Sequence, residues 1–392
     1  MAEIFNAIYY RNFEEVKRMV NEDREIVHIK DSNGWTSLDC AITHGHLEIA
    51  QFLFEKDGRP NLEKYCDRKD TPVHSITRSV YTVTLLKWIF KEKVLPLDVL
   101  KIKDWRKWTP LDNAIPWGNL EMVQFLFKKG GRPNLDIYYD GEWTPMHIAA
   151  CNERIETLKW LFTENVFSLD VLNIKNKNGW TPLDVAISNG KLEIAKYLWE
   201  IGGRPNFEIY CDRNWTPVHE AVHYCHIATL KWVLEKGISR NVLHTKNSDG
   251  WTSLDVAIAC GNLEMAKYLW EMGGRPNLEF HCRDGKNTPV HKVVERGYIT
   301  TLKWIFKENI LPLSVLNIKD RDGKTPMNQA IALKLVRTVD LLGHFYIDSV
   351  FLAMQRAKRD HYQCCVLRRL PDELLDMVVN KVAVRFHLEV VW

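Results

Sequence analysis

The sequence lacks the features that mark catalytic, metal-binding and membrane-spanning proteins. It has no apolar run of about eighteen residues and no basic stretch leading into an apolar segment at its start, so we expect neither a membrane span nor a signal peptide. Its nine cysteines form no Cys-x-x-Cys pair, which disfavours zinc and redox motifs and favours a reducing compartment, cytoplasmic or nuclear. No glycine-rich phosphate loop, Gly-x-Ser-x-Gly elbow or kinase motif set is present, so we predict no catalytic residue, no metal and no cofactor.

The chain also lacks a charge of one dominant sign. Its 53 basic and 50 acidic residues, among 392, give a net charge of +3. This balance predicts no strong attraction to nucleic acid or to an anionic membrane. With 46% hydrophobic and 26% charged residues, the composition is that of a folded protein, and we expect a monomer.

What the sequence has is an internal repeat. A threonine followed by proline or serine recurs at intervals of 35 to 38 residues, at Thr36, Thr71, Thr109, Thr144, Thr181, Thr216, Thr252, Thr288 and Thr325. Odd and even repeats differ: three residues after the threonine, odd repeats place Asp and even repeats place His. The last odd repeat has Asn328 there instead.

Each repeat reads as two helices joined by a turn. Threonine is a good helix N-cap, proline suits the first helical position, and an acidic residue three positions on completes a capping-box-like spacing. In odd repeats a glycine then breaks the first helix, and apolar residues at helical spacing follow, as at Leu192, Ala195, Leu198 and Trp199. Gly-Gly-Arg-Pro-Asn, as at residues 202–206, ends the second helix, whereas even repeats have a longer exit and are interpreted as having no glycine in the middle of the repeat.

This pattern resembles the ankyrin repeat. Even repeats match its Thr-Pro-x-His start at residues 71–74, 144–147, 216–219 and 288–291, and odd repeats match its Gly-Asn-Leu-Glu segment at residues 118–121 and 261–264. The resemblance implies an all-α solenoid over residues 1–345, with a degenerate opening unit at 1–34 and a closing unit at 325–345. It also implies a non-catalytic protein–protein interaction module that binds its partner on a concave surface.

The repeated histidines do not predict a metal site. His74, His147, His219 and His291 are two repeats apart, and helices pack about 8–10 Å apart, so equivalent side chains are separated by about 20 Å. We therefore expect each histidine to bind its own turn. A zinc ion at His223, Cys225 and His226 is the alternative, and it would need a fourth ligand.

The tryptophans fall into two sets. One set lies in second helices and is expected to pack in the core: Trp88, Trp160, Trp199, Trp232, Trp270 and Trp304. The other set directly precedes the repeat threonines, where the resemblance places the loop beside the concave surface: Trp35, Trp108, Trp143, Trp180, Trp215 and Trp251. Tryptophan is enriched at interface hot spots, so these are the candidate partner-binding residues, although stacking that stiffens the loops is an equal alternative.

The arginines of the Gly-Arg-Pro-Asn segments are open to two interpretations. They are Arg59, Arg132, Arg204 and Arg275. A cation at a helix C-terminus is favourable, which predicts a structural role, and binding of an acidic partner is the alternative.

The last segment, residues 346–392, falls outside the repeat. Its Leu-Pro-Asp-Glu-Leu-Leu stretch is similar to the opening of an F-box, a motif that connects proteins to cullin-type ubiquitin ligases through a linker subunit. The matching residues are Leu370, Pro371, Glu373, Leu374 and Val378. The segment is therefore read either as a helical cap that covers the end of the stack or as a truncated ligase-recruiting motif.

Overall fold

The fold is all-helical over the residues that the structure describes. The computed structural model describes residues 3–62, 71–78, 82–117, 119–134, 143–206, 215–236, 240–277 and 287–345. Within these ranges the chain forms helices, turns and loops, and its only β-type pairing is an isolated bridge between Lys30 and Thr36. The predicted all-α class is confirmed.

Each repeat contributes two short helices. The first helices are Glu3–Tyr9, Ser37–Thr43, Pro72–Ile76, Pro110–Trp117, Pro145–Cys151, Pro182–Ser188, Pro217–His223, Ser253–Ala259, Pro289–Glu295 and Pro326–Ala332. The second helices are Phe13–Glu22, Leu47–Glu55, Val83–Lys91, Leu120–Lys128, Ile155–Thr163, Leu192–Glu200, Ile227–Glu235, Leu263–Glu271 and Ile299–Lys307, and residues 336–345 are also helical. Such short helices are marginal alone, so packing between repeats must stabilise them.

The repeat threonines start the first helices as predicted. In the repeat that begins at Thr181, the threonine hydroxyl accepts the backbone N–H of Asp184, and the carboxylate of Asp184 accepts the backbone N–H of Thr181. In even repeats the histidine makes the same reciprocal pair, as His147 does with Thr144. A histidine at this position therefore completes the capping box without a carboxylate.

The turn between the two helices needs one residue in the left-handed conformation. Odd repeats use glycine, as at Gly190 and Gly261, except the last, which has Lys334, whereas even repeats place Glu153 and Cys225 there. The interpretation that even repeats lack this glycine is wrong for the last of them, where Gly297 has a φ of +67°. The opening unit uses Arg11, with a φ of +56°.

Even repeats leave their second helix through an additional turn of 3₁₀ helix. These segments are Arg24–His28, Leu97–Lys101, Leu169–Asn173, Arg240–His244 and Leu313–Asn317. The opening unit has such an exit as well, so it belongs to the even type. The longer exit seen in the sequence thus folds as a short helix that buries two apolar side chains, such as Val171 and Leu172.

The chain divides into two compact units, Met1–Cys211 and Asp212–Trp392. In each unit, consecutive first helices contact one another, and their small and branched residues, such as Ala186 and Ile187, are fully buried. No helix among the described residues is long and apolar enough to span a membrane. Residues 346–392, including Leu370, Pro371, Glu373, Leu374 and Val378, lie outside the described residues, so the cap and the F-box-like motif stay predictions.

Candidate protein-interaction surface

The histidine of each even repeat holds two consecutive repeats together. His147 is fully buried, its Nδ1 accepts the Thr144 hydroxyl at 2.7 Å, and its Nε2 lies 2.9 Å from the carbonyl oxygen of Trp180 in the next repeat. Burial lowers the pKa of His147 to about 4, so the ring is neutral and donates through Nε2. The same contacts recur at His74, His219 and His291. The prediction that each histidine binds its own turn is confirmed.

The aspartate of each odd repeat instead holds its own exit loop. One carboxylate oxygen of Asp184 accepts the Thr181 N–H, the Thr181 hydroxyl and the backbone N–H of Asn206. The amide of Asn206 then donates to the carbonyl of Gly179 at 2.7 Å. Burial raises the pKa of Asp184 to about 6, and its second oxygen has no hydrogen-bond partner. These contacts fix the exit loop against the start of the repeat.

The arginine series is engaged with the helix ends. Nη1 of Arg204 donates to the carbonyls of Trp199 and Gly203, at 3.2 and 2.7 Å, and its guanidinium lies 4.6 Å from the Trp199 ring centre. Arg59, Arg132 and Arg275 repeat this arrangement. The structural role is therefore favoured over binding of an acidic partner.

A closed five-residue turn, which we call the finger turn, precedes each odd repeat. In the turn 176–180, the Asn176 side chain accepts the backbone N–H groups of Asn178 and Trp180. The equivalent turns span residues 31–35, 104–108, 247–251 and 320–324. Four of these turns therefore position a tryptophan directly before the repeat threonine, namely Trp35, Trp108, Trp180 and Trp251.

The predicted partner-binding tryptophans differ in how far they reach solvent. Trp108 and Trp180 are only 4% and 6% exposed, so the prediction that they present their rings to a partner is corrected. The low exposure of Trp108 arises in part because the guanidinium of Arg106 covers its ring, 4.1 Å from the ring centre. The other four rings are half-buried and stay candidates: Trp35, Trp143, Trp215 and Trp251.

The second-helix tryptophans are less buried than the sequence predicts. Trp232 is buried, whereas the remaining five are half-buried: Trp88, Trp160, Trp199, Trp270 and Trp304. Trp160 contacts Phe127 of the preceding repeat edge-on, with ring centres 5.7 Å apart. These half-buried rings therefore pack between neighbouring second helices near the surface. The prediction that the second-helix tryptophans lie in the core is confirmed only for Trp232.

Four of the eleven large apolar side chains that are exposed among the described residues share one position of the repeat, which sequence reasoning missed. This tip position lies eight residues after the repeat threonine, and in the opening unit it is the residue before the left-handed Arg11. It holds Tyr10, His44, Trp117, Asn152, Asn189, Tyr224, Cys260, Arg296 and Leu333. Tyr10, Trp117, Tyr224 and Leu333 are 77%, 44%, 62% and 47% exposed. Residues that recur from repeat to repeat do not reveal this position, because its residue varies. Aligning the repeats and comparing this position identifies the exposed side chains.

One finger turn carries a further exposed ring that was missed. Trp105 is 75% exposed and occupies the second position of the turn 104–108. Other finger turns have polar residues there, namely Ser32, Lys177, Ser248 and Arg321.

Among the described residues, no group of three His, Cys, Asp or Glu side chains, including the His223, Cys225 and His226 segment, is placed to hold a metal ion.

Comparison with known proteins identifies the family. Residues 4–64, 131–209 and 204–280 match the sequence profile described as Ankyrin repeats (3 copies), and these ranges cover more than half of the chain. This chain is an ankyrin-repeat protein. The ankyrin resemblance and the solenoid class predicted from the sequence are therefore confirmed, and the family is one of protein-interaction modules that are generally non-catalytic.

Three relatives show how far the similarity extends. The chain is 30% identical over 186 residues to the probable 26S proteasome regulatory subunit p28 of Saccharomyces cerevisiae, covering 47% of this ankyrin chain and 77% of p28. It is 27% identical over 220 residues to the human transient receptor potential cation channel subfamily A member 1, and 26% identical over 247 residues to the NAD-dependent deacetylase sir2B of Dictyostelium discoideum. These matches cover 54% and 56% of this chain but only 19% and 31% of those two relatives.

Proposed function

We propose that this ankyrin protein is a non-catalytic adaptor that binds a protein partner through its tip positions and the exposed ring of Trp105. One observation carries the proposal. Of the eleven large apolar side chains that are exposed in the described residues, four occupy the tip position. Exposed apolar residues scattered singly need no explanation, but a concentration at one structural position is typical of an interaction surface.

The framework beneath these side chains favours binding. Hydrogen bonds of the buried histidines and aspartates join the start of each repeat to its exit loop or to the next repeat, as at His219 and Asp255. A surface built on such a framework loses little conformational entropy when it binds. Aromatic tip residues then supply rigid contact area, as hot-spot residues do, with the half-buried Trp35, Trp143, Trp215 and Trp251 as additional candidates. The proposed setting is the cytoplasm or nucleus, and the proposed state is a monomer.

The test compares tip variants with equally exposed apolar residues elsewhere. Tyr10→Ala, Trp117→Ala and Tyr224→Ala, combined in one variant, should abolish capture of the protein partner from eukaryotic lysate. The matched control combines Leu97→Ala and Leu169→Ala, which are 53% and 58% exposed but lie in 3₁₀ exits. Equal capture by the native protein, the tip variant and the control would refute the proposal.

A second candidate function is that of a substrate receptor for a cullin-type ubiquitin ligase. It rests on the F-box-like segment at Leu370, Pro371, Glu373, Leu374 and Val378. The test is affinity capture with the full chain and with a chain that ends at Phe345. Loss of ligase subunits on truncation, with the partner retained, supports this function. If the full chain never captures a ligase subunit, the candidate is refuted and the cap interpretation is retained.

A further inference from the structure

A cluster of exposed rings lies at the first turns of the first compact unit. The rings of His44 and His46 stack with their centres 6.0 Å apart, on either side of the left-handed Gly45. Tyr9 meets the His44 ring edge-on at 5.1 Å and meets Tyr10 edge-on at 5.2 Å. Both tyrosines and His44 are exposed, so the cluster faces solvent rather than the core.

The second compact unit contains a similar cluster of two histidines and two larger aromatic rings. The rings of Tyr224 and His226 stack at 6.2 Å on either side of the left-handed Cys225. His223 meets the Tyr224 ring edge-on at 4.9 Å, and Trp215 meets His223 edge-on at 5.3 Å. Among the described residues, a tip residue stacked on a histidine two positions later, with a third ring perpendicular to it, thus occurs in each compact unit.

Each cluster also has a nearby arginine that helps to lower the pKa of one of its histidines. Burial, the neighbouring His44 and Arg11 lower the pKa of His46, and burial followed by Arg296 lowers the pKa of His223. Burial raises the pKa of Cys260 while Arg296 acts to lower it, and the Cys260 sulfur lies 3.4 Å from Nδ1 of His223. Because these two histidines are neutral near pH 7, the guanidinium supplies the positive charge of each cluster.

Carboxylates near these turns are already paired with other cations. Glu14 pairs with Lys17, Glu15 pairs with Arg18, and Glu295 pairs with Lys292, at 2.9, 2.6 and 2.7 Å. Each cluster therefore combines exposed rings with a guanidinium. A lysine-rich partner fits poorly because its ammonium groups would meet the guanidinium, whereas a carboxylate can bind a guanidinium through two hydrogen bonds.

We infer that each cluster binds an extended acidic segment of a partner protein, with a carboxylate on Arg11 or Arg296 and an apolar side chain against Tyr10 or Tyr224. The inference rests on the proposed function and adds the chemistry of the partner. One chain has two such sites, and linked sites bind with higher avidity than single ones. We therefore expect a partner that presents two acidic segments.

The test uses a synthetic probe rather than the unknown partner. The probe is a fluorescent peptide of three Glu-Phe-Asp-Pro repeats, and the matched peptide replaces every acid by its amide. Fluorescence anisotropy with the full chain at pH 7.5 should show tighter binding of the acidic peptide. The double variant Arg11→Gln with Arg296→Gln should weaken this binding by about tenfold and leave the amide peptide unaffected, as loss of two interface charges does.

Further variants separate the possible outcomes. Arg11→Lys with Arg296→Lys keeps the charges but not the paired hydrogen bonds, so it should bind the acidic peptide more tightly than the Gln double variant and less tightly than the native protein. Lys303→Gln, on the exposed side of a second helix, should change nothing. Thermal melts monitor the fold of every variant, and Tyr10→Ala with Tyr224→Ala tests the ring contact independently of the charges. Acidic and amide peptides that bind equally, or oligo(dT) that displaces the acidic peptide from Arg11 and Arg296, would overturn the inference. If tip-dependent capture of a protein partner persists in that case, the proposed function stands without this inference.

Discussion

Replacement of Gly261 by alanine should destabilise the protein far more than the same change at Gly297. Both glycines are the left-handed residues of adjacent repeats, with φ of +71° and +67°. Left-handed alanine costs about 1–2 kcal/mol at either site. A Cβ at Gly261 would lie 2.1 Å from the Tyr298 ring, whereas at Gly297 nothing lies within 4 Å.

The difference between the two variants measures how closely the repeats stack. Tyr298 cannot withdraw freely, because its backbone N–H is bound to Val293 at 3.0 Å and it precedes the helix Ile299–Lys307. Overpacking of this kind costs about 1–3 kcal/mol, so we expect Gly261→Ala to lose about 2–5 kcal/mol and Gly297→Ala about 1–2 kcal/mol.

Urea unfolding of both variants, followed by circular dichroism, measures these free energies. Gly261→Ala in a Tyr298→Ala background is the matched control, and the additional loss should disappear there because the ring is gone. Equal losses for Gly261→Ala and Gly297→Ala, or an additional loss that persists without the ring, would refute the close packing of these turns.

The remaining predictions concern the buried network and the aromatic rings. Because the pKa of His147 is about 4 in the folded protein and 6.5 ordinarily, this residue should reduce the free energy of unfolding by about 3 kcal/mol as the pH falls from 6.5 to 4, and His147→Gln should remove that loss. Asp184 acts in the opposite direction. Because its pKa of about 6 in the folded protein lies above the ordinary 3.8, it should raise the free energy of unfolding by about 3 kcal/mol as the pH falls from 6 to 3.8, and Asp184→Asn should remove that gain. Urea titrations at several pH values measure both slopes, and unchanged slopes would contradict the burial argument. Trp232→Ala should destabilise by about 3–5 kcal/mol, and Trp160→Ala by less because its ring is half-buried; comparable melting shifts would contradict this order.

The repeat frame was predictable because its signals are local. A threonine cap, a residue three positions on and a glycine before the second helix lie within one short segment, so the sequence alone indicates that a helix starts after Thr181, with Asp184 completing its cap, and ends before Gly190. The hydrogen bond from His147 to its own turn follows from the same spacing. Its second bond, to the carbonyl of Trp180 in the next repeat, depends on stacking and was not predicted.

Exposure was harder to predict because it depends on neighbouring repeats. Trp108 and Trp180 have the sequence context of Trp251, yet they are buried while Trp251 is half-buried. The tip position was missed for a different reason: it varies from Tyr10 to Trp117, and a search for recurring residues passes over variable ones. In a repeat protein the shared residues form the frame, so the variable positions are where binding specificity belongs.

The most direct measurement is a hydroxyl-radical footprint of the full chain, free and bound to its captured protein partner. This method reports solvent access of aromatic and leucine side chains in the native protein. The account predicts that Tyr10, Trp117 and Tyr224 become protected on binding, while Leu97 and Leu169 keep their labelling. Protection of the two leucines with unchanged labelling of the tip residues would contradict it.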